Sequence, residues 1–230
     1  MKTATISSLL PLAANAAFTA LSARSASPIH LQEIVADGGF WIGKETQSYC
    51  PSTVEPNCPP GNITVFDFPS DDGSLFLDVE VPGGQQGTRV FHLSPLFPPL
   101  PSYPSSHQYS HTHTHNPRQP PQTVYIDPTT SQVLFSIPHG SAPQGSILNG
   151  WLYIYNPDNE LGSVTWEDTA GTSNATGGLV ACPTSGSGQT GQGPWQIYAY
   201  REGFDGSRCL GFDIIASNYT GEGAAAWEYV

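Results

Sequence analysis

From Phe18 to the C-terminus, apolar and polar residues alternate in short runs that Gly, Pro and Asp-Gly signals cut apart. Alternation with a period of two is the mark of half-buried strands. It predicts strands at Phe18–Ala23, Ile29–Val35 and Gly39–Ile42, the last after an Asp37-Gly38 turn. Thr64–Phe68 places Phe66 and Phe68 on one face, and the turn Ser70-Asp71-Asp72-Gly73 leads to a partner strand with Leu75, Leu77 and Val79 inward. Asp-Gly supplies the positive φ that such a hairpin requires. The return strand is expected at Val124–Asp127, pairing onward with Gln132–Ile137. Trp151–Tyr155 puts three aromatics on one face and Leu152 and Ile154 on the other, and Gly162–Asp168 follows the Asn156-Pro157-Asp158-Asn159 turn. Gly177–Cys182, a strand opening at Trp195, Leu210–Tyr219 and Ala225–Val230 complete the series.

With 24 glycines and 22 prolines, no stretch outside the ends and one insert is long enough for an ordinary helix. About a dozen short strands without helical crossovers must be mostly antiparallel. The expectation is an all-β, trefoil-like barrel, with a two-sheet sandwich as the alternative; periodicity does not choose between them.

Two segments break the pattern. Met1–Lys2, the apolar run Ala4–Ala14 and the small-x-small site Ala14-Asn15-Ala16 read as a signal peptide over residues 1–17, with the mature chain starting near Ala17 or Phe18. The apolar run is too short for a membrane span. A single all-β domain, residues 18–230, would remain. It is interrupted at 87–123 by a Pro/Ser/His-rich stretch that lacks Asp and Glu and holds five of the seven histidines. Its length is far outside ordinary loop statistics, and its composition predicts a disordered or polyproline-like chain. The continuous hairpin left on deleting it suggests a retained intron; a mature transcript that still encodes 87–123 would refute this. His111, His113 and His115 alternate with Thr and could meet Zn²⁺, Cu²⁺ or Ni²⁺, but nothing there fixes a geometry, so no metal site and no cofactor are assigned.

Charge narrows the partners. The formal net charge is −12 and charged residues make up 11 % of the chain, which disfavours nucleic acid and anionic membranes. Four cysteines permit three pairings. The local one, Cys50 with Cys58 and Cys182 with Cys209, needs the least chain reorganisation and suits an oxidising compartment. Asn62, Asn174 and Asn218 each open an Asn-x-Thr sequon. Trp151, Tyr153, Tyr155, Tyr198 and Tyr200 are candidates for stacking on sugar rings, although aromatics at alternating strand positions also pack cores.

Reactive constellations are absent from the sequence. Glu167-Asp168 would point to opposite faces of a strand, Asp71-Asp72 has a turn role, and no G-x-S-x-G elbow occurs. His30 and His139 have no partner suggested by sequence, so no catalytic residue is assigned.

The stretches SPIHLQ, FWIGKETQSYCP, CPPGNIT, DGSLFLDVEVPGGQQ with VYID, LVACP, PWQIYA and CLGFDIIASNYTGEGAAAWEY, in this order, resemble the fungal secreted family of IgE-binding proteins. That family is similar in turn to the cell-wall proteins of phialide development. The resemblance implies export to the wall or medium, a role in spore-bearing cell development, recognition by IgE, and a match of the four cysteines to the family's. It brings no catalytic residues. Members run from PGGQQ directly into VY, so the insert departs from the pattern. The expected function is a secreted, non-enzymatic wall or surface protein with affinity for wall polysaccharide. The alternatives are a secreted hydrolase and a host-directed effector.

Overall fold

A computed structural model describes residues 16–53, 55–68, 73–80, 122–138, 140–168, 177–184 and 193–230. The expected leader (apart from Ala16 and Ala17), most of the insert, Asp71, Asp72, the three Thr-spaced histidines, His139 and Asn174 lie outside the described residues.

The described chain is all strand, turn and loop. Its strands are β1 (Ala16–Ala23), β2 (Ile34–Ala36), β3 (Phe40–Ile42), β4 (Ser48–Tyr49), β5 (Phe66–Phe68), β6 (Phe76–Leu77) and β7 (Gln122–Ile126). They continue with β8 (Val133–Phe135), β9 (Trp151–Asn156), β10 (Leu161–Trp166), β11 (Leu179–Pro183), β12 (Trp195–Ala199), β13 (Leu210–Asn218) and β14 (Glu228–Tyr229). Every strand pairing is antiparallel.

Twelve strands share one sheet, ordered β2-β3-β12-β11-β13-β1-β5-β6-β7-β8, with β10 and β9 branching from β13. The branch arises because β13 is long enough to pair β11 at Leu210–Phe212 and β10 at Ile214–Ser217, while β1 runs along it from Asp213 to Asn218. The sheet curls strongly into a half-barrel, the barrel side of the two expected architectures. Its β8 end returns to β12 at the bridge Gln132–Tyr198, where the Ala199 amide donates to Ser131 O at 2.8 Å.

The inward faces make one core. Phe18 stacks on Phe66 at 5.5 Å between ring centroids, Phe40 meets Phe66 at 5.3 Å, and Phe135 packs edge-on against Phe40 at 5.4 Å. Trp151, Trp166, Ile42, Leu77, Ile126 and Ile197 are buried around them. Each such side chain contributes about 1.5–3 kcal/mol by leaving water.

Three expectations are corrected. Ile29–Val35 is not one strand: residues 25–31 turn, with Ala26 and Leu31 at positive φ, and only Ile34–Ala36 extend. The buried Ser22 hydroxyl donates to the carbonyls of Ile29 and Gln32, which offers this backbone a partner other than a strand. The return strand begins at Gln122, so Gln122 and Thr123 are part of the sheet and not of the inserted stretch. They pair with Leu77 and Phe76, across the long intervening segment. Finally, Tyr49, which the proline-rich composition of residues 49–61 assigns to a loop, belongs with Ser48 to a short strand that pairs with Glu228–Tyr229 in a separate two-stranded sheet.

That small sheet belongs to a C-terminal clasp. Gln122 Nε2 donates to Tyr229 O (2.9 Å) and its Oε1 accepts from the Tyr229 amide (2.8 Å), so one side-chain amide stands in for a strand neighbour. The Tyr229 hydroxyl donates to Ile63 O (2.9 Å) and accepts from the Val65 amide (3.0 Å). Burial pushes the Tyr229 phenol far above its ordinary value; Asp78 and Tyr219 add to this, and the Val65 hydrogen bond opposes it.

Candidate functional site

Alternation along β12 decides which side chains reach solvent. Trp195, Ile197 and Ala199 are buried in the core, so Gln196, Tyr198 and then Tyr200 form the outward row. Tyr200 is 39 % exposed. The same logic turns Trp41 outward on β3, between buried Phe40 and Ile42.

Pairing then gathers residues that are distant in sequence. Trp41 lies opposite Gln196, and Gln132 opposite Tyr198, because β3 and β8 both abut the same edge of β12 at the point where the half-barrel closes. On the other edge, Cys182 faces Gln196 and Val180 faces Tyr198. The Tyr198 hydroxyl donates to Gln196 Oε1 (3.2 Å) and accepts from Gln132 Nε2 (3.4 Å). The Tyr198 ring stacks on Phe204 at 5.3 Å and 28°. At the margin, Lys44 Nζ sits 3.5 Å from the Trp41 ring centroid and 2.6 Å from Asp37 Oδ2, while the indole N–H donates to Asp37 O at 2.7 Å. One indole face is thus taken by the ammonium, so Trp41 acts as a wall, and Tyr200 is the exposed ring.

Chemically this closure seam is a row of amide and phenol groups between aromatic walls, with its marginal charges paired. Such a surface offers hydrogen bonds to hydroxyls and ring faces to C–H groups, the two demands of a sugar ring.

Of the five aromatic residues expected to stack on glycans, only Tyr198 and Tyr200 stand on this surface. Trp151 is 1 % exposed. Tyr153 is held between Phe18 (5.6 Å) and Phe68 (5.8 Å) and lies over Gly162, where an added Cβ would come within 2.6 Å of its ring. Burial pushes the Tyr153 phenol above its ordinary value. Tyr155 is exposed, but at the end of β9, next to the exposed Leu152 and Ile154. The aromatic face of β9 is therefore its core face. Trp41, Gln132, Gln196 and Phe204 were missed by sequence reasoning.

The other candidates fall as follows. Both local disulfides are formed, Cys50–Cys58 and Cys182–Cys209. The second joins β11 to the entry of β13, at the seam of β11, β12 and β13. Asn62 and Asn218 are exposed. His30 is exposed and its Nδ1 accepts from the Arg24 amide at 3.2 Å. Glu167 is exposed, whereas the Asp168 carboxylate is buried 3.8 Å from Arg201 Nε.

The fold and the bridges define a disulfide-stapled, all-β extracellular protein. A search of characterised sequences finds a relative in Arthroderma benhamiae, described as an uncharacterized secreted protein, 28 % identical over 201 residues, covering 84 % of this chain and 75 % of the relative. No family profile and no solved structure matches. Similarity to that protein, together with the two bridges, makes this chain a secreted fungal protein.

Proposed function

We propose that the protein is a non-catalytic binder of neutral wall polysaccharide at the fungal surface, with sugar rings lying along the closure seam. The observation that carries this reading is the uncharged row Gln132–Tyr198–Gln196, beside the exposed ring of Tyr200. A net charge of −12 disfavours anionic polymers, while the seam itself presents hydrogen-bonding groups without a net field. Recognition by IgE and a place in spore-bearing cell development are supported only by the resemblance of sequence stretches and are proposed on that footing.

The test is depletion of the secreted protein from solution by insoluble β-glucan, chitin and mannan. The wild type is retained on at least one of them. The double variant Gln196→Ala/Tyr200→Ala loses about tenfold in affinity, since a lost hydrogen bond and a lost aromatic contact are each worth about 0.5–1.5 kcal/mol. Ile154→Ala, on the exposed flank of β9, binds as the wild type does. Absence of retention on all three polymers, or equal retention of the double variant, defeats the reading. Release of soluble sugar by the wild type would favour the hydrolase alternative.

A further inference from the structure

We infer that Asn62 is an N-glycosylation site that accepts its glycan only before the C-terminal strand docks. Asn62 is exposed, but the rest of its sequon is not available in the folded chain. The Thr64 hydroxyl, the group that makes Asn-Ile-Thr an acceptor, belongs to a residue only 4 % exposed. It accepts from the Ala36 amide at 2.8 Å and is shared with the Thr46 hydroxyl at 2.9 Å. On either side of Thr64, the backbone of Ile63 and Val65 is held by the Tyr229 hydroxyl. Just before Asn62, the Gly61 amide donates to Ala225 O at 3.0 Å, and Gly61 itself has φ +66° and lies so close to Ser48 that a Cβ would overlap it. Four of the five residues 61–65, all but Asn62 itself, are thus fastened, and three of them to residues 225–229.

The order of synthesis gives this geometry a consequence. Tyr229 follows Val65 by 164 residues, so the clasp forms only after the chain through β14 has been exported. Until then the sequon is free to enter a transferase. The reaction forms a bond from Asn62 Nδ2 to the anomeric carbon of an oligosaccharide and breaks that carbon's bond to the diphosphate of its lipid carrier. One amide proton leaves, and the lipid diphosphate departs with the electron pair. Once the clasp closes, the Thr64 hydroxyl that the transferase must read is committed to the core and the transfer stops. The inference depends on export alone and stands apart from the polysaccharide reading.

The full chain, produced without glycosylation and with both disulfides formed, is compared with the same chain reduced and kept unfolded. Each is given fungal microsomal transferase with its lipid-diphosphate oligosaccharide, and site occupancy is read by peptide mass spectrometry, with an Asn-x-Thr tripeptide reporting transferase activity. The unfolded chain is modified at Asn62 and the folded chain at least tenfold less. Folded Tyr229→Phe, with the hydroxyl clasp removed, is modified faster than the folded wild type. Modification of the folded wild type within tenfold of the unfolded rate, no modification of Asn62 in the unfolded chain, or a Tyr229→Phe rate equal to the folded wild type's overturns the inference.

Discussion

Replacing Tyr229 by Phe removes one oxygen and keeps the ring. The hydroxyl accepts from the Val65 amide at 3.0 Å and donates to Ile63 O at 2.9 Å, and Val65 is fully buried. Phe leaves that amide without a partner, at a cost of about 1–3 kcal/mol, and forfeits a second hydrogen bond worth about 0.5–1.5 kcal/mol. We expect a loss of about 2–3 kcal/mol, a large part of the roughly 5–15 kcal/mol typical of a domain. Urea unfolding of the disulfide-intact protein is the assay; with a slope of about 2 kcal/mol/M, the midpoint falls by about 1–1.5 M.

Alkaline pH supplies an independent check. Burial holds the Tyr229 phenol far above its ordinary range, so the folded chain keeps this proton after the unfolded chain has lost it. The stability from the neutral phenol is complete below about pH 10, where unfolded tyrosine titrates, and fades as pH rises further, by up to about 1.4 kcal/mol per pH unit. Tyr125 and Tyr153 are also shifted upward, chiefly by burial, and contribute equally in both proteins. The gap between wild type and Tyr229→Phe therefore narrows from about pH 9 to about pH 11.5. A midpoint shift below about 0.25 M, or a gap independent of pH, would refute the argument.

Two further stability predictions accompany those given for polysaccharide retention and Asn62. Removing the Cys182–Cys209 bridge with a pair of serines should cost about 3.5 kcal/mol and removing Cys50–Cys58 about 2.5 kcal/mol, since the first closes a sequence separation of 27 and the second of 8; denaturant midpoints of the two double variants give the comparison. Gly150 and Gly145 both have positive φ, +101° and +88°, but only at Gly150 would a Cβ run into the Glu167 carbonyl. Gly145→Ala should cost about 1 kcal/mol in backbone strain and Gly150→Ala at least about 3 kcal/mol, read from thermal unfolding.

Much of the strand inventory was legible because Gly and Pro leave room for little else and period-two alternation marks each run. Local pairing of the cysteines was legible because each pair lies close in sequence, at separations of 8 and 27. Alternation separates two faces of a strand without saying which one meets the core. On β9 the aromatic set Trp151 and Tyr153 went inward and Leu152 and Ile154 outward, because Phe18 and Phe68 wait on the inner side. The turn at residues 25–31 was hidden because its cause, the Ser22 hydroxyl, lies in another strand. The closure seam was hidden by distance: Trp41 meets Gln196 only through the β3–β12 register, across more than half of the chain. A partial signal existed, since Trp41 and Gln196 each sit between two apolar residues. Gln122 carried none, since it is one of several amides in a proline-rich run and its role depends on residues near Tyr229.

The clasp also bears on what the scaffold tolerates between β6 and β7. Glu80 is tied to Ala226 through its amide, and Gln122 to Tyr229 through its side chain, so both ends of the intervening segment are moored to the same six-residue terminus. Sequence spliced between those moorings exerts little leverage on the half-barrel. The junction is therefore a natural port for cargo, where a peptide tag or a small domain could be displayed outside the cell without retuning the body that carries it.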